Sequence, residues 1–245
     1  FYMIISLVAA RIKVKKGTET MKPDIKTLII YEDPHIIVCH KPAGIPVQSA
    51  RIGTADMVSL LKNYLVSSEK RNSSIRTPYL AVIHRLDQPV EGLLVFARTP
   101  AAAKDLTRQL TTSGFGKYYR AIVTGVPDPA EGTLENYLIK DGRNNISRVC
   151  TKETSGAKLA KLHYQVEEIY KDSCPVTSLV KIKLDTGRHH QIRVQMANIG
   201  CPLVGDRKYG KTDASSLKLL AYRLEFKHPV NRKEMVFELP VVPGI

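Results

Sequence analysis

Apolar and polar positions alternate along this chain with two periods, and the switches between them mark its elements. Residues 28–30 and 35–40 are short apolar runs separated by Asp33 and Pro34, which predicts a strand pair turned at that dipeptide. Pro and Gly punctuate the loop at 41–46. The spacing then lengthens to the helical period: Met57, Leu60, Leu61, Tyr64 and Leu65 share one face of a helix expected to run from a Thr54 cap to about residue 66. Residues 67–77 are polar and are expected as an exposed loop. Residues 81–83 and 93–97 read as two strands flanking a polar loop, with Pro89 and Gly92 forcing the turn. Thr99 and Pro100 have the chemistry of a cap and first residue for a helix that ends at Gly114.

The remainder is strand-rich, with β-branched and aromatic residues concentrated at 118–126, 133–138, 161–170 and 176–184. A helix is expected over 188–199, striped by Ile192, Met196 and Ile199 and closed by Gly200. Strands at 219–226 and 235–239 complete the pattern. Strand–helix–strand alternation is sparse, which argues against a doubly wound parallel sheet. The pattern predicts an α+β fold: a mixed, largely antiparallel bent sheet with peripheral helices and loops. Residues 1–10 are apolar and Arg11, Lys13, Lys15 and Lys16 follow them, too short a run for a bilayer and the reverse of a signal peptide's charge order. With Met21 just ahead of the globular pattern, residues 1–24 are expected to be an N-terminal extension, disordered or a start-site artefact, and residues 25–245 a single domain.

Composition adds one strong constraint. Among 245 residues, 37 Lys and Arg against 23 Asp and Glu give a net charge of +14, which points to a polyanionic partner. The excess concentrates at 181–233, with 12 basic and 4 acidic residues. Such a cluster suits a phosphate backbone, and binding to one weakens steeply with salt. Cys39, Cys150, Cys174 and Cys201 are scattered, with no C-x-x-C pair and no zinc-finger spacing to a His, so they read as separate reduced thiols in a cytoplasmic protein.

Three segments carry candidate chemistry. If His84-Arg85-Leu86-Asp87 stays extended, Arg85 and Asp87 project the same way from a loop held by strands. Taken alone, such a pair is commonly a surface ion pair worth under about 1 kcal/mol. Tyr118 and Tyr119 must face opposite sides of their strand; both can be packing residues, or one ring can stack on a base. Arg188, His189, His190 and Gln191 crowd the expected first turn of a helix, where free backbone N–H groups favour anions. On a helix, His189 and His190 would point about 100° apart and could not share a metal ion. Arg193 would lie one turn beyond His189, on a face that the apolar stripe leaves free.

Together these segments resemble the RluA-type pseudouridine synthases. His84-Arg85-Leu86-Asp87, followed by Gly92-Leu93-Leu94-Val95-Phe96-Ala97, looks like that family's catalytic motif. Tyr31-Glu32-Asp33 with Lys41-Pro42-Ala43-Gly44-Ile45-Pro46 is similar to its first motif, and Lys117-Tyr118-Tyr119-Arg120-Ala121 to its tyrosine motif. Gly187 to Arg193, with 202–206 and Tyr209-Gly210, resembles its last. The four motifs stand in family order over about residues 25–240.

The resemblance implies the pseudouridine synthase catalytic fold and isomerisation of uridine to pseudouridine in ribosomal or transfer RNA. It makes Asp87 the catalytic aspartate and Arg193 its partner. It sets Tyr119 against the target base, where the ring assists proton removal from C5, and Arg85 in the gap left by the flipped nucleotide. Lys41, Arg188, His190 and Gln191 are expected to contact RNA. The reaction exchanges a glycosidic C–N bond for a C–C bond without redox change or group donor, so neither cofactor nor metal is expected. Nor is a membrane or an obligate protein partner expected, and nothing demands more than a monomer. One departure stands out: Val90-Glu91-Gly92 replaces the family's usual Thr-Ser-Gly after the aspartate. The S4-type RNA-binding domain of some relatives is also expected to be missing.

Three other readings compete. A non-catalytic RNA-binding protein on the same scaffold would be expected to lose Asp87, which is present with Tyr119 and Arg193. A glycoside hydrolase needs two carboxylates across the bond, and only Glu91 could be the second. A kinase-like His-Arg-Asp loop fails because Leu86 intervenes and no Gly-rich phosphate loop is present.

Overall fold

The computed structural model describes residues 4–5, 24–51, 53–69, 77–112, 114–210 and 216–240. The expectation for residues 1–24 falls almost entirely outside them, as do residues 70–76 of the expected exposed loop. The elements in chain order are β1 (Ile4–Ile5), α1 (Ile25–Leu28), β2 (Ile29–Glu32), β3 (Ile36–Lys41), α2 (Met57–Glu69), β4 (Ala81–Val82), β5 (Glu91–Ala97) and α3 (Pro100–Thr111). There follow β6 (Gly116–Thr124), β7 (Glu131–Asp141), β8 (Ile146–Cys150), β9 (Lys158–Tyr170), β10 (Thr177–Leu184), α4 (Gln191–Asn198), β11 (Leu219–Lys227) and β12 (Glu234–Glu238). The fold is α+β with a largely antiparallel sheet and few helices. No helix among the described residues is long and apolar enough to cross a membrane.

Two compact units divide the chain. The first takes the described residues up to Phe115 together with Leu224–Pro240; the second takes Gly116–Arg223. In the first unit the strand order is β2–β3–β5–β11, with β4 on β5, β12 on β11 and β1 parallel to β12. β2, β3 and β5 pair antiparallel. The expected turn at Asp33 is built by its side chain, which accepts the backbone N–H groups of His35 and Ile36, the Tyr31 hydroxyl and the His228 ring Nε2. Those four bonds hold the Asp33 carboxyl below its usual range even though burial acts against its charge. The core of this unit is Ile36, Val38, Leu93, Val95, Leu106 and Leu224, with Phe226 stacked between Phe115 and Phe237.

The starts of α2 and α3 follow side-chain caps. Thr99 caps α3 by accepting the Ala102 N–H, with Pro100 next, as the sequence predicts. The helix itself stops at Thr111, short of Gly114, whose N–H closes back on the Gln109 carbonyl. In α2 the cap is Asp56 rather than Thr54. One Asp56 oxygen accepts the Ser59 N–H and the other the Ser49 N–H, a bond to a distant loop that sequence spacing does not reveal.

In the second unit the order is β11–β6–β10–β9–β7–β8. β6 pairs with β10, β10 with β9, β9 with β7 and β7 with β8, all antiparallel. β7 and β9 are longer than expected, and β8, absent from the sequence reading, returns on β7 as a hairpin. α4 begins at Gln191, three residues later than expected, and is buried on nearly every side: Gln191, Arg193 and Gln195 are enclosed along with Ile192, Val194 and Met196. The free face expected beside its apolar stripe does not exist. Gln195 Nε2 donates to the carbonyls of Leu134 and Ala160 and to the Asn136 side chain, while its Oε1 is buried without a hydrogen-bond partner. Gly205 is required where it sits: its φ is +77°, and a Cβ there would lie 1.9 Å from the Ser216 carbonyl oxygen.

Candidate active site

In the first unit, Asp87 lies on the loop between β4 and β5. It is partly buried, and its carbonyl accepts the Val90 N–H to start the turn into β5. Leu86 is buried, while Arg85 is exposed and donates to the Gln48 side chain. His84 anchors the loop's beginning through its Nε2, which accepts from the Val95 N–H, and through an edge-on contact with Phe115.

Lys41 fixes the other end, and here the RNA-contact expectation is corrected. Lys41 is 0% exposed, and its ammonium donates to the carbonyls of Pro42, Ile45 and Gln88 at 2.9, 2.7 and 3.0 Å. A cation enclosed this way cannot reach a phosphate. It ties the 42–46 loop to the residue after Asp87, and two more bonds between Gly44 and Gln88 complete the stitch. Gly44, at φ +88°, supplies the left-handed turn. Burial pushes the Lys41 ammonium down to about 8, partly countered by the nearby carboxylates of Glu91 and Asp87.

The residues that replace the family's Thr-Ser have plain roles. Val90 is buried in the packing, and Glu91 bonds to the His40 Nε2 at 2.8 Å. That hydrogen bond holds the Glu91 carboxyl below the usual range. A general acid must keep its proton at neutral pH. Glu91 is therefore unsuited to the general-acid role in a glycoside hydrolase.

In the second unit, Tyr119 is 6% exposed on one face of β6. Tyr118 faces the other way, with the cationic groups of Lys183 and Arg223 over its ring at 5.8 and 5.6 Å. Arg193 is 5% exposed on α4. Its Nε and Nη2 donate to the two oxygens of Asp206, each at 2.7 Å, and its guanidinium lies 5.2 Å over the Tyr209 ring. Asp206 also accepts the backbone N–H groups of Lys208 and Tyr209. Burial opposes its charge, but Arg193 and these N–H groups outweigh it and hold the carboxyl below its usual range.

The segment before α4 is not helical, which overturns two expectations. His190 takes a left-handed conformation at φ 54°, so His189 and His190 stack at 3.7 Å instead of diverging. His190 is buried; its Nδ1 bonds to the Tyr209 hydroxyl, which accepts the Ser147 N–H. Desolvation, reinforced by Arg193, His189 and Lys208, pushes His190 down to about 3, so it is neutral at physiological pH. It anchors the segment and offers no charge to a phosphate. Gln191 is likewise internal: its Oε1 accepts from the Thr186 hydroxyl and the Arg188 N–H, and its Nε2 donates to the Lys161 carbonyl. Arg188 does remain exposed, with its Nε oriented by the Leu159 carbonyl at 2.7 Å.

Lys41, Arg85 and Asp87 thus belong to the first unit; Tyr119, Arg188, His190, Gln191 and Arg193 belong to the second. Sequence reasoning quoted Asp206 but gave it no task. An acid 13 positions after an arginine, just behind a glycine, is a weak signal until both are seen to be buried.

A family model described as RNA pseudouridylate synthase matches residues 35–198, a span that holds Asp87, Tyr119 and Arg193. The chain belongs to that family. It is 33% identical over 252 residues to ribosomal large subunit pseudouridine synthase D of Neisseria meningitidis, covering 96% of this chain and 64% of that protein. It is 34% identical over 223 residues to the dual-specificity RNA pseudouridine synthase RluA of Escherichia coli, covering 87% of this chain and 92% of that protein. Among solved structures, human RNA pseudouridylate synthase domain containing 4 has the same fold, with a TM-score of 0.69 at 23% identity over 89% of this chain and 91% of that one.

Proposed function

We propose that this protein isomerises uridine to pseudouridine in structured RNA, ribosomal or transfer, with Asp87 as the catalytic carboxylate. The observation that carries this reading is Asp87 itself. It lies in the family span, in the sequence His84-Arg85-Leu86-Asp87, partly exposed on a loop that a buried lysine clamps from below. The N1–C1′ bond breaks, the uracil turns, C5 bonds to C1′, and the C5 proton leaves as N1 gains one. Oxidation state and atom count are unchanged, which is why neither metal nor redox group enters the proposal.

An aspartate suits the first step because it is ionised at neutral pH and can act on the ribose or the uracil. Tyr119 packs against the base and helps remove the C5 proton. Arg193, its plane fixed by two bonds to Asp206, is the partner of the catalytic carboxylate. Exposed Arg85 fills the space left by the extruded nucleotide, and the +14 charge supports a polyanionic substrate. Residues 25–245 act as the catalytic domain, as a monomer without an obligate partner. Four unpaired thiols support a reducing, cytoplasmic setting.

The test is tritium release from [5-³H]uridine-labelled transfer RNA and large-subunit ribosomal RNA transcripts. Asp87→Asn should abolish release while leaving melting temperature and RNA affinity unchanged. Turnover at the wild-type rate would remove Asp87 from the mechanism. An inactive wild-type protein that still binds both RNAs would favour a non-catalytic binder.

A further inference from the structure

Lys117 opens β6 two residues before Tyr119, so both side chains lie on one face of that strand, about 7 Å apart along it. The residue is 6% exposed, yet among the described residues its ammonium has no hydrogen-bond acceptor. Lys41 shows the usual solution for a buried lysine, with three carbonyls around the nitrogen. Lys117 has instead the more distant charges of Asp185, which favours its protonated form, and Arg188, which opposes it. Asp185 is itself bonded to the His163 Nε2. Burial pushes the ammonium down to about 8.

The nitrogen lies under Gly187. A Cβ there would come within 3.5 Å of Nζ, and since Gly187 has none, no side chain covers the ammonium from that exposed loop. Arg188 follows immediately, exposed and oriented through its Nε. The stem of Lys117 is buried but its nitrogen is not sealed, so an acceptor from outside the protein can reach it. Lys117 and Arg188 act on each other as like charges, and the carboxylate that favours the Lys117 ammonium is already bonded to His163, so the pair calls for an anion; a neutral base carbonyl would leave their repulsion in place.

We propose that Lys117 and Arg188 form a phosphate subsite that receives a backbone phosphate of the RNA strand beside the Tyr119 face. The proposal rests on RNA being the substrate and names a contact within that reading. The subsite positions the strand through a phosphate and carries no sequence preference of its own.

The experiment titrates the full chain with a fluorescein-labelled transfer RNA transcript by anisotropy, between about 50 and 200 mM KCl. Wild type, Lys117→Met and Lys117→Arg are compared, with tritium release measured in parallel. Lys117→Met should bind about tenfold more weakly at low salt, and its log K against log salt should be shallower by about 0.7 to 0.9. Lys117→Arg should recover most of both. If Lys117→Met does not fold, Lys117→Gln is judged by the same two criteria. Wild-type affinity and slope in a folded Lys117→Met overturn the subsite, whatever the turnover. A lost slope in that variant, alongside a wild-type protein that releases no tritium, keeps the subsite and overturns the enzymatic reading.

Discussion

Lys41 and Lys117 are chemically identical, similarly buried and both pushed down to about 8, yet the same substitution should move them in opposite directions. Lys41→Met leaves three carbonyls without their donor and should destabilise the protein by at least about 1–3 kcal/mol in urea unfolding. Lys117→Met removes a buried charge with no hydrogen bond to lose, and should stabilise it by roughly 1–3 kcal/mol at pH 7. The pH dependence has a definite sign. The native Lys117 sheds its proton near pH 8 while the unfolded chain holds it to 10.5, so wild-type stability rises across that window and the advantage of Lys117→Met shrinks there. A gain that grew between pH 8 and 10 would contradict this account. Asp206 runs the other way. Its carboxyl is held below 3.8 in the folded state, so its contribution is complete above that value and drains as pH falls below it. Asp206→Ala should cost about 3–5 kcal/mol at pH 7 by stranding the buried Arg193, with the gap to wild type narrowing in acid. It should also lower turnover, because Arg193 loses the two bonds that fix its plane.

At the scale of elements, termini depend on single side chains. Thr99 with Pro100 was legible because cap and helix are contiguous in sequence. Asp56 was not, because its value comes partly from the Ser49 N–H, seven residues back. Asp56→Ala should cost about 1–2 kcal/mol, measured by thermal unfolding, whereas Thr54→Ala should change stability little. The start of α4 misled for a related reason. Gly187, Arg188, His189 and His190 have no sequence feature that forbids a helical turn, but the Gln191 amide captures the Arg188 N–H and the Lys161 carbonyl and holds the segment in another shape. The pairing of β8 with β7 was missed because 146–150 is a short, mixed stretch that becomes a strand by pairing.

At the scale of the whole molecule, the +14 charge makes a prediction that needs no single residue. Affinity for a transfer RNA transcript should fall steeply with salt, by about a thousandfold or more between 50 and 200 mM if six or more phosphates are engaged. A nearly flat response would remove the polyanion from the account. The charge is unevenly placed: the basic run at 181–233 lies mostly in the second unit, which also holds Lys117 and Arg188.

The sequence by itself determined the fold class, most strands and helices, the order of the motifs and hence the family. Each of these depends on local periodicity or on residue types at short spacing. It also singles out Asp87, Tyr119 and Arg193. Which polar groups are enclosed, and by what, was decided by tertiary structure alone. Lys41, His190 and Gln191 look from the sequence like groups waiting for RNA. Burial converts them into internal ties, because a desolvated polar group must take the nearest complementary partner, and that partner often lies far away in the chain. Lys117 stands in the sequence at the head of the tyrosine motif with no task of its own; what distinguishes it in the structure is a buried stem whose ammonium meets no hydrogen-bond acceptor among the described residues.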